Sequence, residues 1–75
     1  MTKIRVTFNM NSGESRGTIL DVKDFKEAQE IIKENFRIYK NNNDKNVLYI
    51  NADYSEDVFE VIENHVVCID YEKAE

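Results

Sequence analysis

The segment DFKEAQEIIKENFRIYK, residues 24–40, is the strongest indication of the fold, because its apolar residues recur with the period of an α-helix. Asp24 stands three residues before Glu27, an acidic version of the capping-box spacing, and this predicts the start of the helix. The polar run at residues 41–46 predicts its end near Lys40. The stripe predicted to face the core comprises Phe25, Ala28, Ile32, Phe36 and Tyr39.

Two strands are predicted ahead of this helix. Residues 3–10 alternate between polar and apolar side chains, which is the pattern of a half-buried strand. Residues 11–13 have turn chemistry, and residues 16–22 then form a second strand that closes a hairpin. Gly17 lies inside that strand and predicts a bulge or a close backbone approach.

The chain after the helix contains two short apolar runs, residues 47–50 and 66–69, which predict neighbouring strands buried on both faces. Residues 54–64 between them fit a short amphipathic helix with Ser55 as N-cap, and an extended or 3₁₀ segment is the alternative. The predicted order is β-β-α-β-(α)-β. This is an α+β domain, in which a small sheet of about four strands carries one long helix and, where 54–64 is helical, a second short one on the same face.

Length and composition narrow the class of protein. Seventy-five residues predict a single domain, residues 1–75. Cys68 is the only cysteine, so no intramolecular disulfide can form, and this favours a reducing compartment. The sequence shows neither the apolar region of a signal peptide nor an apolar run long enough for a membrane span. We therefore expect a cytoplasmic protein without a membrane partner.

Charge is divided unevenly along the chain. Residues 1–42 carry a net charge of +2 and residues 43–75 a net charge of −7, for a total of −5. A surface of this kind attracts basic partners and repels nucleic acid and anionic membranes. The sequence therefore predicts a basic protein surface as partner and no direct binding of nucleic acid.

The strongest candidate for a contact surface lies in the acidic half. On a helix over residues 54–64, Glu56, Glu60 and Glu63 would form one negative ridge. A loop tyrosine beside carboxylates is typical of an interface anchor. The predicted partner-binding residues are Asp53, Tyr54, Glu56, Asp57, Glu60 and Glu63. The alternatives are a solvated acidic face that keeps the protein soluble and a partial mimic of a phosphate backbone.

The residues capable of chemistry do not form a recognisable site in the sequence. His65 and Cys68 are too few for a zinc site, so we expect no metal and no cofactor. Cys68 lies in an apolar run and is predicted to be buried and unreactive, and His65 is predicted to be a hydrogen-bonded cap. A carboxylate pair such as Glu60 and Glu63 would need a cleft to act as acid and base. We therefore expect no catalytic residues and no enzymatic activity.

A basic stripe on the first strand is a weaker candidate. Lys3, Arg5 and Thr7, with Arg16 on the partner strand, would line its exposed side, but Phe8 falls on the apolar side, so no aromatic platform for bases accompanies them. Protection of a strand edge is the simpler explanation.

These observations predict a small acidic binding protein, an inhibitor or adaptor that docks on a basic surface of a larger protein, such as a nucleic-acid-binding protein. Small acidic single-domain proteins of this composition resemble those carried by phages and other mobile elements. The alternative is a structural or assembly protein that self-associates through a strand edge, for which the alternating first strand is the marker. A homodimer is compatible with both hypotheses.

Overall fold

The computed structural model describes residues 1–39, 45–51 and 58–74. It has five strands in two sheets, one α-helix and one 3₁₀ turn within these residues, and the predicted α+β class is confirmed. The elements in chain order are β1 (Thr2–Met10), β2 (Ser15–Val22), α1 (Phe25–Ile38), β3 (Val47–Asn51), β4 (Val58–Ile62), the 3₁₀ turn Glu63–His65 and β5 (Val66–Lys73).

The predicted hairpin of β1 and β2 is confirmed. The strands are antiparallel, and the alternating residues Ile4, Val6 and Phe8 are buried on one side of the sheet. Met10 accepts a hydrogen bond from the backbone N–H of Gly13 at 3.0 Å, and Gly13 has a φ of +92°. A positive φ favours glycine, so this residue allows the chain to reverse within a short loop. Gly17, by contrast, lies in regular pairing opposite Thr7, without the predicted bulge.

Helix α1 begins where its sequence predicts and ends two residues before Lys40. The Asp24 carboxylate accepts the backbone N–H of Glu27 at 2.9 Å, and the Glu27 carboxylate accepts the backbone N–H of Lys23 at 3.1 Å. The first bond satisfies one of the backbone donors that a helix start would otherwise leave without a partner, and the second holds the residue that precedes the N-cap. The middle of the predicted stripe, Ala28, Ile32 and Phe36, is buried, whereas Phe25 and Tyr39 at its two ends are exposed.

The prediction of a helix over residues 54–64 is wrong for the part that the structure describes. Val58–Ile62 is strand β4, paired antiparallel with β3, and only Glu63–His65 forms a 3₁₀ turn, as the extended or 3₁₀ alternative anticipated. Pairing with β3 supplies every second residue of β4 with ladder hydrogen bonds. In this strand Val61 is buried, at 1% exposed. Residues 54–57 lie outside the described residues.

The predicted pairing of the two apolar runs is also wrong. β5 pairs with β1, and the three-stranded sheet has the order β2-β1-β5, while β3 pairs with β4. The strand of the second run extends to Lys73 and alternates beyond the run, since Asp70 and Glu72 are exposed and Tyr71 is half-buried. Val67, also predicted to be buried, is exposed.

The core lies between the three-stranded sheet, helix α1 and the two-stranded ribbon of β3 and β4. Phe8 of β1 meets Phe36 of α1 edge to face, with ring centroids 6.3 Å apart. From the ribbon, Leu48, Ile50 and Val61 enter the same cluster. One face of the three-stranded sheet is therefore covered by helix and ribbon, and its other face carries the polar residues of β1.

Candidate docking surface

The part of the predicted acidic ridge that the structure describes does not lie on one face of a helix. Of the predicted members of this ridge, Asp53, Tyr54, Glu56 and Asp57 lie outside the described residues. Glu60 belongs to strand β4 and Glu63 to the 3₁₀ turn that follows it. The helical spacing that would align these two carboxylates on one surface therefore does not apply to them.

Glu60 lies on the exposed face of the β3–β4 ribbon, directly opposite Tyr49. The backbone of Asn46 accepts the N–H of Glu63 at 2.9 Å, and in an antiparallel ladder the hydrogen-bonded pairs recur at every second residue. Tyr49 and Glu60 therefore form a non-hydrogen-bonded pair, the kind whose side chains approach most closely. The Glu60 carboxylate and the Tyr49 ring therefore lie side by side on the exposed face of the ribbon.

Tyr49 is held in place by a second tyrosine. Its ring meets that of Tyr39 edge to face, with centroids 6.2 Å apart and an interplanar angle of 86°. The carbonyl of Tyr39 also accepts the N–H of Val47 at 3.0 Å, which ties the end of helix α1 to the start of β3. Both rings remain half exposed, at 49% for Tyr39 and 50% for Tyr49. The structure therefore presents two aromatic rings to solvent in a fixed geometry.

Val58 completes this surface. It is 60% exposed and shares the outer face of β4 with Glu60, since residues two apart in a strand point to the same side. We call Tyr39, Tyr49, Val58 and Glu60 the ribbon face. The sequence alone does not identify Tyr39 and Tyr49 as surface residues, because the helical stripe predicts that Tyr39 faces the core and the run 47–50 predicts a strand buried on both faces. It does not identify Val58 either.

Glu63 contacts Asn46 and does not belong to a helical row of carboxylates. Its carboxylate accepts a hydrogen bond from the Asn46 side chain at 2.9 Å, in addition to the backbone bond between the same two residues. These contacts join the end of β4 to the residue that precedes β3. Glu63 is exposed, and its described contacts stabilise the ribbon.

The predicted burial of Cys68 is wrong. Cys68 is exposed, and its sulfur lies 3.4 Å from the Asn9 side-chain nitrogen on the polar face of the sheet. The cause is strand alternation, because Cys68 pairs with Asn9 and therefore faces away from the core. His65 is exposed at the end of the 3₁₀ turn, where its backbone carbonyl accepts the N–H of Asn11. Among residues 1–39, 45–51 and 58–74, no group of three or more His, Cys, Asp or Glu side chains is placed to hold a metal ion.

The predicted basic stripe is divided between the two faces of the sheet. Lys3, Arg5 and Thr7 lie on the polar face, but Arg16 pairs with Phe8 and so belongs to the core side. There its guanidinium lies 5.9 Å from the centre of the Phe59 ring, a cation–π contact between β2 and β4. Protection of a strand edge is also the wrong explanation, because β1 is the central strand.

No protein-family model matches this chain, and no curated protein or solved structure matches it. Within the described residues no helix has the length and apolar character needed to cross a membrane.

Proposed function

We propose that this protein is a small non-enzymatic binding protein that docks on a basic surface of a larger protein through the ribbon face. The observation that supports this proposal is the half-exposed Tyr49 ring, fixed edge to face against Tyr39 and placed beside the Glu60 carboxylate. Rigid aromatic residues contribute much of the energy in protein interfaces, since they bury a large area and lose little rotamer entropy. A neighbouring carboxylate adds complementarity to a cationic partner.

The charge of the chain supports the same class of partner. The protein carries a net charge of −5, which accelerates encounter with a basic protein. Nucleic-acid-binding proteins belong to this class, because their binding surfaces are rich in lysine and arginine. An inhibitor or adaptor that covers such a surface is the concrete form of the proposal. We place this role in the cytoplasm because Cys68 is the only cysteine.

The test compares capture of partners from a nuclease-treated lysate of the source cells by the natural chain and by Tyr49→Ser and Glu60→Lys. We expect each substitution to lower capture of a basic protein by about tenfold or more, because each removes one part of the ribbon face. The captured protein should also elute as salt increases, since exposed charges are screened.

Asp21→Lys is the matched control for this experiment. It makes the same charge reversal at an exposed carboxylate of β2, whose contact with Lys3 is a loose 3.9 Å. Capture should survive this change. Equal loss with Asp21→Lys and Glu60→Lys would show that net charge, and not the ribbon face, determines binding, and unchanged capture by Tyr49→Ser would rule out the aromatic anchor.

Self-association through a strand edge is the second candidate function. The prediction that the first strand forms this edge is wrong, because β1 is paired on both sides. The observation in favour is that, among the described residues, β5 pairs with β1 alone. Sedimentation of the purified chain over a range of concentrations tests this candidate directly.

A further inference from the structure

The outer edge of β5 has a defined pattern of backbone groups. Ala74 donates its N–H to the carbonyl of Lys3 at 2.9 Å, so these two residues form a hydrogen-bonded pair of the antiparallel ladder. Such pairs recur at every second residue, so Asp70 and Glu72 also direct their N–H and C=O groups toward β1. Ile69 and Tyr71 direct their N–H and C=O groups away from β1, to a side where none of the described strands lies.

The side chains of these same two residues border a groove. Ile69 pairs with Phe8 and Tyr71 with Val6, so both side chains lie on the core side of the sheet. Helix α1 does not cover them completely. An open groove of about 480 Å³ remains between β5 and the helix, lined by Lys26, Gln29, Glu30, Lys33, Ile69 and Tyr71. Partial burial raises the pKa of the Tyr71 phenol above its ordinary value, in keeping with a sheltered position beside this groove.

The opposite side of β5 carries negative charge. The residues of β5 on the polar face are Cys68, Asp70 and Glu72. On the β1 side, the Asp70 carboxylate accepts a hydrogen bond from the Asn9 side chain at 3.0 Å, and Glu72 lies opposite Arg5. No basic residue of β5 itself lies on this face, because Lys73 pairs with Ile4 on the core side. An added strand would therefore meet Ile69 and Tyr71, bordered by the polar side chains of helix α1, at one set of alternating positions and carboxylates at the other. Edge strand β2 offers no such combination, since Asp21 is the one carboxylate on its polar face and Thr18 and Val22 on its core side are buried.

We propose that the β5 edge binds an extended segment of a basic partner protein as an added antiparallel strand, with apolar side chains in the groove beside Ile69 and Tyr71 and lysine or arginine beside Asp70 and Glu72. Backbone hydrogen bonds to Ile69 and Tyr71 provide affinity, and the alternating side chains provide specificity, as in other cases of strand addition. The ribbon face plays no part in this site, so the site stands independently of the docking role proposed above.

A second copy of this chain fits the edge less well than a basic segment. Two β5 strands paired about a two-fold axis, with both core sides on the same side, would place Asp70 and Glu72 of one copy opposite or diagonal to those of the other. Like charges in these positions destabilise a strand pair. On the polar face, charge complementarity therefore favours a cationic occupant over a second copy of this chain.

The test uses a capped peptide as long as β5 in which lysine and valine alternate, titrated into the full-length protein and followed by amide hydrogen exchange. We expect the Ile69 and Tyr71 amides to exchange fast in the free protein and to become protected when the peptide binds, because their N–H groups gain acceptors. Asp70→Lys should weaken binding by about fivefold, the size expected for an exposed charge contact. Asp21→Lys, on the polar face of the other edge strand, should leave it unchanged.

Two further peptides isolate the backbone contacts without altering the protein. In antiparallel pairing the valines lie opposite Ile69 and Tyr71 and exchange hydrogen bonds with them, whereas the lysine N–H groups point away. N-methylation of the valines should abolish binding, and N-methylation of the lysines should be tolerated. Equal effects of the two methylated peptides would overturn strand addition. So would equal binding of a glutamate–valine peptide, or protection of Ile69 and Tyr71 that rises with protein concentration alone, which would assign the edge to a second copy.

Discussion

Gly13 and Gly17 show how two identical residues in one hairpin have different structural requirements. Gly13 has a φ of +92°, which residues with a side chain rarely adopt, although nothing lies within 4 Å of an added Cβ. Gly17 lies in a regular strand, and a Cβ there would meet the Val6 carbonyl oxygen at an ordinary van der Waals distance of 3.6 Å. The limit at Gly13 is therefore the backbone conformation, and at Gly17 there is no comparable limit.

We predict that Gly13→Ala lowers the free energy of unfolding by about 1–2 kcal/mol, the cost of a left-handed conformation for a residue with a Cβ. Gly17→Ala should leave it unchanged or raise it by up to about 1 kcal/mol, because alanine loses less backbone entropy in a strand. Urea unfolding of the two variants, monitored by circular dichroism, measures both values. Equal destabilisation would mean that the turn does not impose the positive φ.

Local signals in the sequence predicted the helix and strands in the first half of the chain well. The alternation of residues 3–10 and the cap at Asp24 depend on neighbours in sequence, and both appear in the structure. The errors arose where the partner is distant. Val58–Ile62 has helical spacing of its apolar residues but pairs with β3, and β5 pairs with the far end of the chain. Tertiary pairing therefore overrode a local pattern in the second half.

The candidate site also depends on contacts between residues that are distant in sequence. Charge patterning identified Glu60 as a surface residue, and it is exposed. The neighbours that give Glu60 its setting, Tyr39 and Tyr49, are brought together by the contact between the end of α1 and the start of β3. Spacing rules relate residues within one helix or strand, and this contact joins two elements. The aromatic part of the ribbon face therefore could not be derived from the sequence.

Two valines of β4 provide a matched test of the strand assignment. Val61 is 1% exposed, and Val58 is 60% exposed. Val61→Ala should lower the free energy of unfolding by about 2 kcal/mol through lost burial and a small cavity, and Val58→Ala should lower it by less than about 1 kcal/mol. A helix over the same residues would reverse this order, because Val58 would then face the core. Chemical denaturation of the two variants distinguishes the possibilities.

The arrangement of the two sheets determines which surfaces remain for partners. The helix and the ribbon share the core side of the three-stranded sheet, and the part next to β5 is left as a groove. The polar face of the same sheet mixes both charges, as where Lys3 meets Asp21. The ribbon face and the β5 edge are thus two separate surfaces, one built on exposed side chains and the other on backbone groups.

The carboxylates of β5 should also control whether two copies of the chain pair. Asp70 and Glu72 would oppose their counterparts in a β5–β5 contact, and charged side chains are a common means of protecting an exposed edge strand. We therefore predict that Asp70→Asn/Glu72→Gln self-associates at concentrations at which the natural chain sediments with its 8.9 kDa mass. Added salt should promote association of the natural chain, since it screens the repulsion, and should have little effect on the variant. Asp21→Asn, on the opposite edge strand, is the control and should behave as the natural chain. If the variant with both substitutions stays monomeric at every concentration and salt level, the two carboxylates are not what keeps this edge from pairing with itself.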